Sequence, residues 1–204
     1  MLTGKALYVA VSDTPAWVVS RANTLADFRG WSPFIALQTR YNLLERSMEN
    51  DLLPMANELG LGIVPWGIIA EGFLTGKHSR DQLDPNSGRT WRVQEHVKVD
   101  KNWDILEAVK EVAASVGRSP VQVALNWMLQ KGVTSPLVGA RRVDQLEENL
   151  AALDFRLSAA DMKKLDDVSE PQRCFPYRLR VPNSFIEGGS KVELPASFRL
   201  KYTT

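Results

Sequence analysis

Ala6-Leu7-Tyr8-Val9-Ala10-Val11-Ser12-Asp13-Thr14-Pro15-Ala16-Trp17-Val18-Val19 decides the fold class. The run from Ala6 to Val11 is apolar, partly β-branched and aromatic, and too short for a helix. It reads as a buried strand. Ser12 to Pro15 then reads as a turn and a helix start, with Thr14 suited to the N-cap and Pro15 to the first helical position. A helix over about 16–28 follows, with Trp17, Val18, Ala22 and Leu25 at helical spacing. Strand, turn and amphipathic helix make one βα unit.

The unit recurs along the chain. Phe34-Ile35-Ala36-Leu37-Gln38 is a second run, and a helix is expected over 48–59, ended by Gly60. Gly62-Ile63-Val64-Pro65-Trp66-Gly67 is a third. Ser135-Pro136-Leu137-Val138-Gly139 is a fourth, followed by a helix starting near Val143. Continuous apolar strands separated by helices predict an α/β fold with a parallel sheet. Four units fall short of the eight strands that fill a closed barrel. Such a piece has two open edges and one sheet face without an opposite wall.

Between the third and fourth runs lies an insertion. Its first part, 76–100, is polar, contains Asp84-Pro85-Asn86-Ser87-Gly88, and reads as a surface loop. Trp103, Ile105, Leu106, Val109, Val112, Ala113 and Val116 then show a helical period. Ser119-Pro120 caps a helix over 121–129, and Ser158 with Asp161 marks another helix start. From Glu170 the period fades into a proline- and glycine-bearing tail. The expected division is a barrel-like part over 1–170 and a tail over 171–204.

Composition narrows the function. With 25 basic and 24 acidic side chains, the net charge of +1 gives no footprint for nucleic acid or an anionic membrane. The lone Cys174 cannot form an internal disulfide, and His78 and His96 lie far from it in a polar stretch, so no metal site is expected. Met1 to Lys5 does not read as a signal peptide, and no run is long enough to span a bilayer. A reducing, cytosolic location is expected.

In a βα barrel, ligands bind at the C-terminal strand ends. Here these are Ser12-Asp13, Gln38 to Asn42, Trp66-Gly67 and Gly139-Ala140-Arg141. Each alone reads first as turn chemistry, and a core tryptophan is the lesser reading of Trp66 beside Pro65 and Gly67. Together, Val11-Ser12-Asp13, Leu37-Gln38 with Tyr41-Asn42, Pro65-Trp66-Gly67 through Gly72-Phe73-Leu74-Thr75-Gly76-Lys77, and Gly139-Ala140-Arg141 with Gln145, Glu148 and Asn149 resemble the aldo-keto reductases in order and spacing. The wording around Val11 to Val19 is similar to fungal aryl-alcohol dehydrogenase-like and norsolorinic-acid-reductase-like members.

The resemblance implies the C-terminal half of a (β/α)8 TIM barrel and an NADP(H)-dependent oxidoreductase acting on an aldehyde or ketone, aromatic or polyketide-type. It implies that Ser12, Asp13 and Gln38 face the nicotinamide carboxamide and that Trp66 stacks on the ring. Gly67, Gly72, Gly76 and Lys77 would wrap the pyrophosphate. Gly139 and Arg141, with Arg142 beside it, would reach the 2′-phosphate, and Gln145, Glu148 and Asn149 the adenosine end. The family usually has asparagine where Asp13 stands; an ionised carboxylate only accepts. The family's catalytic aspartate, tyrosine, lysine and histidine precede the stretch matched here, so no catalytic residue is assigned. Intact activity would then need the other half, from a longer product or a partner chain; a homo-oligomer or a partner chain could complete the barrel. A non-catalytic NADP-binding or protein-interaction half-barrel is the alternative.

Overall fold

The computed structural model describes residues 4–80, 90–173, 175 and 177, without the side chains of Thr90 and Trp91. The chain divides into two units, Met1–Pro171 and Gln172–Thr204. Only Gln172, Arg173, Phe175 and Tyr177 of the second fall among the described residues. The expectation for the rest of the tail, and for 84–88, lies outside them.

The first unit is α/β. Strands β1 (Val9–Ser12), β2 (Phe34–Arg40) and β3 (Gly62–Trp66) form a parallel sheet in that order. Between them run α1 (Ala16–Arg29) and α2 (Leu52–Glu58), the latter preceded by a 3-10 turn, Ser47–Glu49, that replaces the first turn of the expected helix. After β3 come the 3-10 segment Ala70–Thr75, then α3 (Thr90–Val97), α4 (Asp100–Val116), α5 (Pro120–Gln130), α6 (Val143–Leu150) and α7 (Ala159–Val168). The polar stretch expected as a loop to residue 100 is therefore helical in its last part. Among the described residues no helix is long and apolar enough to cross a membrane.

Two local predictions are met atom by atom. Ser119 accepts from Gln122 N while Gln122 Oε1 accepts from Ser119 N, a complete capping box opening α5. Ser158 Oγ accepts from Asp161 N at the start of α7. At α1 the cap differs. Pro15 itself holds the N-cap position, and Thr14 Oγ1 turns back to donate to Ser12 O at 2.9 Å.

The buried stripe of α1 also differs from the predicted one. Ala16, Val19, Asn23 and Ala26 face inward, whereas Trp17 is 68% exposed and Leu25 42%. Asn23 explains the rotation: its amide donates to Phe34 O and accepts from Phe34 N, clamping the helix to the start of β2. A buried amide with both ends satisfied fixes which side of an ambiguous helix turns inward.

The fourth run forms no regular strand, although it lies beside β3. Thr134 N and Ser135 N donate to Ile63 O at 2.9 and 3.2 Å, and Leu137 N donates to Pro65 O at 2.8 Å. The return donations fail. Pro65 has no N–H, and Ile63 N gives its proton to the Thr134 hydroxyl at 2.9 Å. The ladder on this side of β3 runs in one direction only.

Register assigns the two sheet faces. Val11 pairs with Leu37 and Leu37 with Ile63, and register partners in a parallel sheet share a face. Leu37, Thr39, Ile63 and Pro65 on that face are buried under the helices. Ser12 pairs with Gln38, Gln38 with Val64, and Arg40 with Trp66. On this second face Ala10, Ser12, Ala36, Gln38, Arg40, Gly62, Val64 and Trp66 are all less than fully buried.

Candidate cofactor site

The second face carries Ser12, Gln38, Arg40 and Trp66 at the C-terminal ends of three adjacent strands. Asp13, in the left-handed region at φ 45°, donates its N–H to Gln38 O at 3.1 Å. Its Oδ1 accepts from Trp66 Nε1 at 3.2 Å, and its Oδ2 lies 3.3 Å from Ser12 Oγ, which donates. The carboxylate is thus engaged by the indole. Acceptor-only Asp13 and donor-only Trp66 Nε1 are matched in hydrogen-bond type. Tyr41 N donates to Trp66 O at 3.2 Å, carrying the pairing past the end of β2.

The loop after Trp66 is shaped by glycine where the backbone requires it. Gly67 has φ 71°, and a Cβ there would meet Arg40 Cγ at 3.5 Å. Asn42 Nδ2 donates to Gly67 O at 2.8 Å, and Asn42 Oδ1 accepts from Leu44 N and Glu45 N. Gly76, at φ 80°, lies so close to α5 that a Cβ would meet Pro120 Cγ at 3.3 Å. The N–H of Gly72 is committed to Ile69 O, and Lys77 is exposed.

Glu71 was not anticipated. Both it and Ala70 have positive φ, 57° and 48°. That backbone turns the Glu71 side chain inward, leaving it 4% exposed. Its Oε2 accepts from Arg40 Nη2 at 2.8 Å and lies 2.8 Å from His96 Nε2 on α3. Burial works to raise the Glu71 pKa, but the hydrogen bond with His96 and the Arg40 charge outweigh it and hold the carboxyl below its ordinary value. The Arg40 guanidinium carbon lies 5.6 Å from the Trp66 ring centroid. Arg40 is visible in sequence by period: two residues after Gln38 on a strand means the same face.

The remaining predicted residues form a separate group. Arg141 is exposed, and its N–H donates to Gln145 Oε1 at 2.9 Å. Arg142 pairs with Asp144 at 2.7 Å. Glu148 gives its backbone carbonyl to Gln122 Nε2 at 3.1 Å. Gln145, Glu148 and Asn149 share the half-buried side of α6, and Gly139 is exposed. Among the described residues, no hydrogen bond or ion pair joins this group to Ser12, Asp13, Gln38 or Trp66. The described residues contain no cluster of histidine, cysteine and carboxylates fit for a metal ion.

Residues 1–170 match the model of the aldo/keto reductase family. The chain belongs to the aldo/keto reductases. It is 36% identical over 181 residues to an aryl-alcohol dehydrogenase [NADP(+)] of Phanerodontia chrysosporium, covering 86% of this chain and 47% of that protein. It is 34% identical over 197 residues to a probable aryl-alcohol dehydrogenase of Saccharomyces cerevisiae, covering 95% of this chain and 58% of the relative. It is 33% identical over 192 residues to norsolorinic acid reductase B of Dothistroma septosporum, covering 92% and 46%. The chain spans about half the length of these curated relatives. As an aldo/keto reductase, it carries at its strand ends the hydrogen-bonded pairs Asp13–Trp66 and Arg40–Glu71, joined where Arg40 meets the Trp66 ring.

Proposed function

We propose that this chain provides the NADP(H)-binding wall of an oxidoreductase that interconverts an aldehyde or ketone with its alcohol, with an aromatic or polyketide-type compound as substrate. The observation that carries the reading is the alignment of Ser12, Gln38 and Trp66 by register on one uncovered sheet face of an aldo/keto reductase. Two relatives whose names specify NADP(+) or a reductase activity support it.

The residues fit such a cofactor. Ser12 and Gln38 offer donors and acceptors to a carboxamide, and the Trp66 indole offers a flat face for stacking. Positive-φ Gly67 and Gly76 leave the loop backbone bare, and Lys77 adds charge for a diphosphate. Exposed Arg141 suits a 2′-phosphate, with Gln145, Glu148 and Asn149 toward the adenosine. When bound, the cofactor supplies or takes a hydride at its nicotinamide ring. Asp13, already engaged by Trp66, acts here mainly by holding the ring rather than by gripping the carboxamide.

The proton comes from elsewhere. Tyr41 is fully buried, and its hydroxyl donates to Glu49 at 2.6 Å. Burial, then the neighbouring Glu49 carboxylate, pushes its pKa far up, so it cannot serve as an acid near neutrality. A complementary half, in a longer chain or a partner chain, would supply the acid and cover the open face as the other side of a (β/α)8 barrel.

Titration of the purified chain with NADPH and NADH, followed by tryptophan fluorescence, tests this. NADPH is expected to quench, with a preference over NADH that Arg141→Ala lowers by about tenfold, the loss of one charge-assisted phosphate contact. Absence of NADPH binding by a well-folded sample would overturn it, and the non-catalytic interaction reading would replace it.

A further inference from the structure

Arg40 lies where three parts of the candidate site meet. It ends β2 on the uncovered face, two residues after Gln38 and in register with Trp66. Its guanidinium covers the Trp66 ring at 5.6 Å, an arrangement that attracts through the ring quadrupole. Its Nη2 is bonded to Glu71 in the 67–77 loop at 2.8 Å. Its Nε is buried without a hydrogen-bond partner, and a Cβ on Gly67 would come within 3.7 Å of that atom. The side chain therefore holds this place despite an unmet donor, which costs stability. Meanwhile Asp13 grips the opposite part of the indole through Nε1. Ring, strand end and loop are tied through one side chain.

We propose that Arg40 is a positioning residue of the cofactor site: it fixes the Trp66 ring and ties it through Glu71 to the 67–77 loop. The inference rests on the NADP(H) reading above. His96 Nε2 contacts the same Glu71 Oε2 that Arg40 uses, so α3 joins the tie between strand end and loop.

The full chain labelled with 5-fluorotryptophan gives a fluorine spectrum of its six tryptophans, with the Trp66 signal assigned from Trp66→Phe. Arg40→Met is expected to shift the Trp66 signal without any nucleotide and to leave those of Trp103 and Trp127 in place. An unmoved Trp66 signal overturns the positioning role. Calorimetric titrations with NADPH then give its dissociation constant for each chain. Arg40→Met is expected to weaken NADPH binding by roughly threefold, the worth of one exposed cation–π contact that holds the ring, and unchanged affinity overturns the role in cofactor binding. If the unsubstituted chain does not bind NADPH, the NADP(H) reading falls, while the fluorine spectrum still decides the tie of ring to loop. Should Arg40→Met not fold, Glu71→Gln is expected to move the Trp66 signal in the same sense by less, and no movement overturns the tie to the loop.

Discussion

The side of the molecule built on α4, α5 and α7 and the edge built on β1 and α1 use their apolar residues in opposite ways. On the first, Ile105, Leu106, Val109, Val123, Trp127, Met128 and Leu165 are buried together. They enclose a polar core. Arg46, 6% exposed, donates to both oxygens of Glu49 at 2.8 and 3.0 Å, to Ser169 Oγ at 2.7 Å and to Asp166 O at 3.0 Å. Tyr41 donates to the same Glu49, and Trp127 Nε1 donates to Asp166 at 3.0 Å. On the second side Leu7, Tyr8, Trp17, Phe28 and Trp31 are exposed. Helix α6, which packs against α5, follows neither pattern: it has no buried residue and turns Val143, Leu146 and Leu150 outward while Gln145, Glu148 and Asn149 are half-buried. The difference teaches that the fold is anchored in its helical layer, against which the 67–77 loop and α6 also rest, and that the β1 edge is finished differently from the interior.

Trp127→Ala breaks this contrast most severely. It opens a void in the packed side and removes the ring beneath Arg46 and Lys131; a loss of about 4 kcal/mol is expected in urea unfolding. Arg46→Met leaves Glu49 and Asp166 without their shared cation, and a loss of about 3 kcal/mol is expected by the same measurement. Tyr41→Phe removes one bond to Glu49 and should cost about 1 kcal/mol.

Acid sharpens the same comparison. Burial tends to raise the Glu49 pKa, but the hydrogen bonds from Arg46 and Tyr41 prevail and lower it. A carboxyl with a depressed folded pKa stabilises the protein fully above its unfolded value, about 4.3. That contribution is lost as pH falls through the folded value, because the unfolded chain takes up the proton first. The urea midpoint should therefore drop below about pH 5, and Glu49→Gln, less stable at pH 7, should drop less. An equal acid slope in both would remove Glu49 from the account. At the other extreme, Phe28→Ser on the exposed side should change stability by less than about 0.5 kcal/mol, measured in the same way; a large loss would mean that the surface is covered.

What the sequence discloses follows the range of each determinant. The start of α5 is legible because Ser119, Pro120 and Gln122 settle it among themselves. The fourth run is misread because the cause lies on its neighbour, in the missing N–H of Pro65. The inward side of α1 is misread because the helix is apolar on two sides, and the choice falls to the bonds between Asn23 and Phe34. At the candidate site Ser12, Gln38 and Trp66 can be found from strand ends. Arg40 could have been found from the two-residue period. Glu71 could not, since its side chain direction depends on two consecutive positive-φ residues, Ala70 and Glu71, for which neither residue type is a signal.

The uncovered face has small residues toward its floor: Ala10, Ala36 and Gly62. At Gly62 an added Cβ would meet Thr134 Oγ1 at 3.5 Å and Ala36 Cβ at 3.7 Å, ordinary contact distances. A substitution map of the sheet should consequently alternate along each strand. Gly62→Ala should leave the urea midpoint nearly unchanged, whereas enlargement or truncation next door at fully packed Ile63 should not. Added volume is thus taken up on the face that carries the binding groups, in steps of two residues, with the intervening positions locked by the helices behind them.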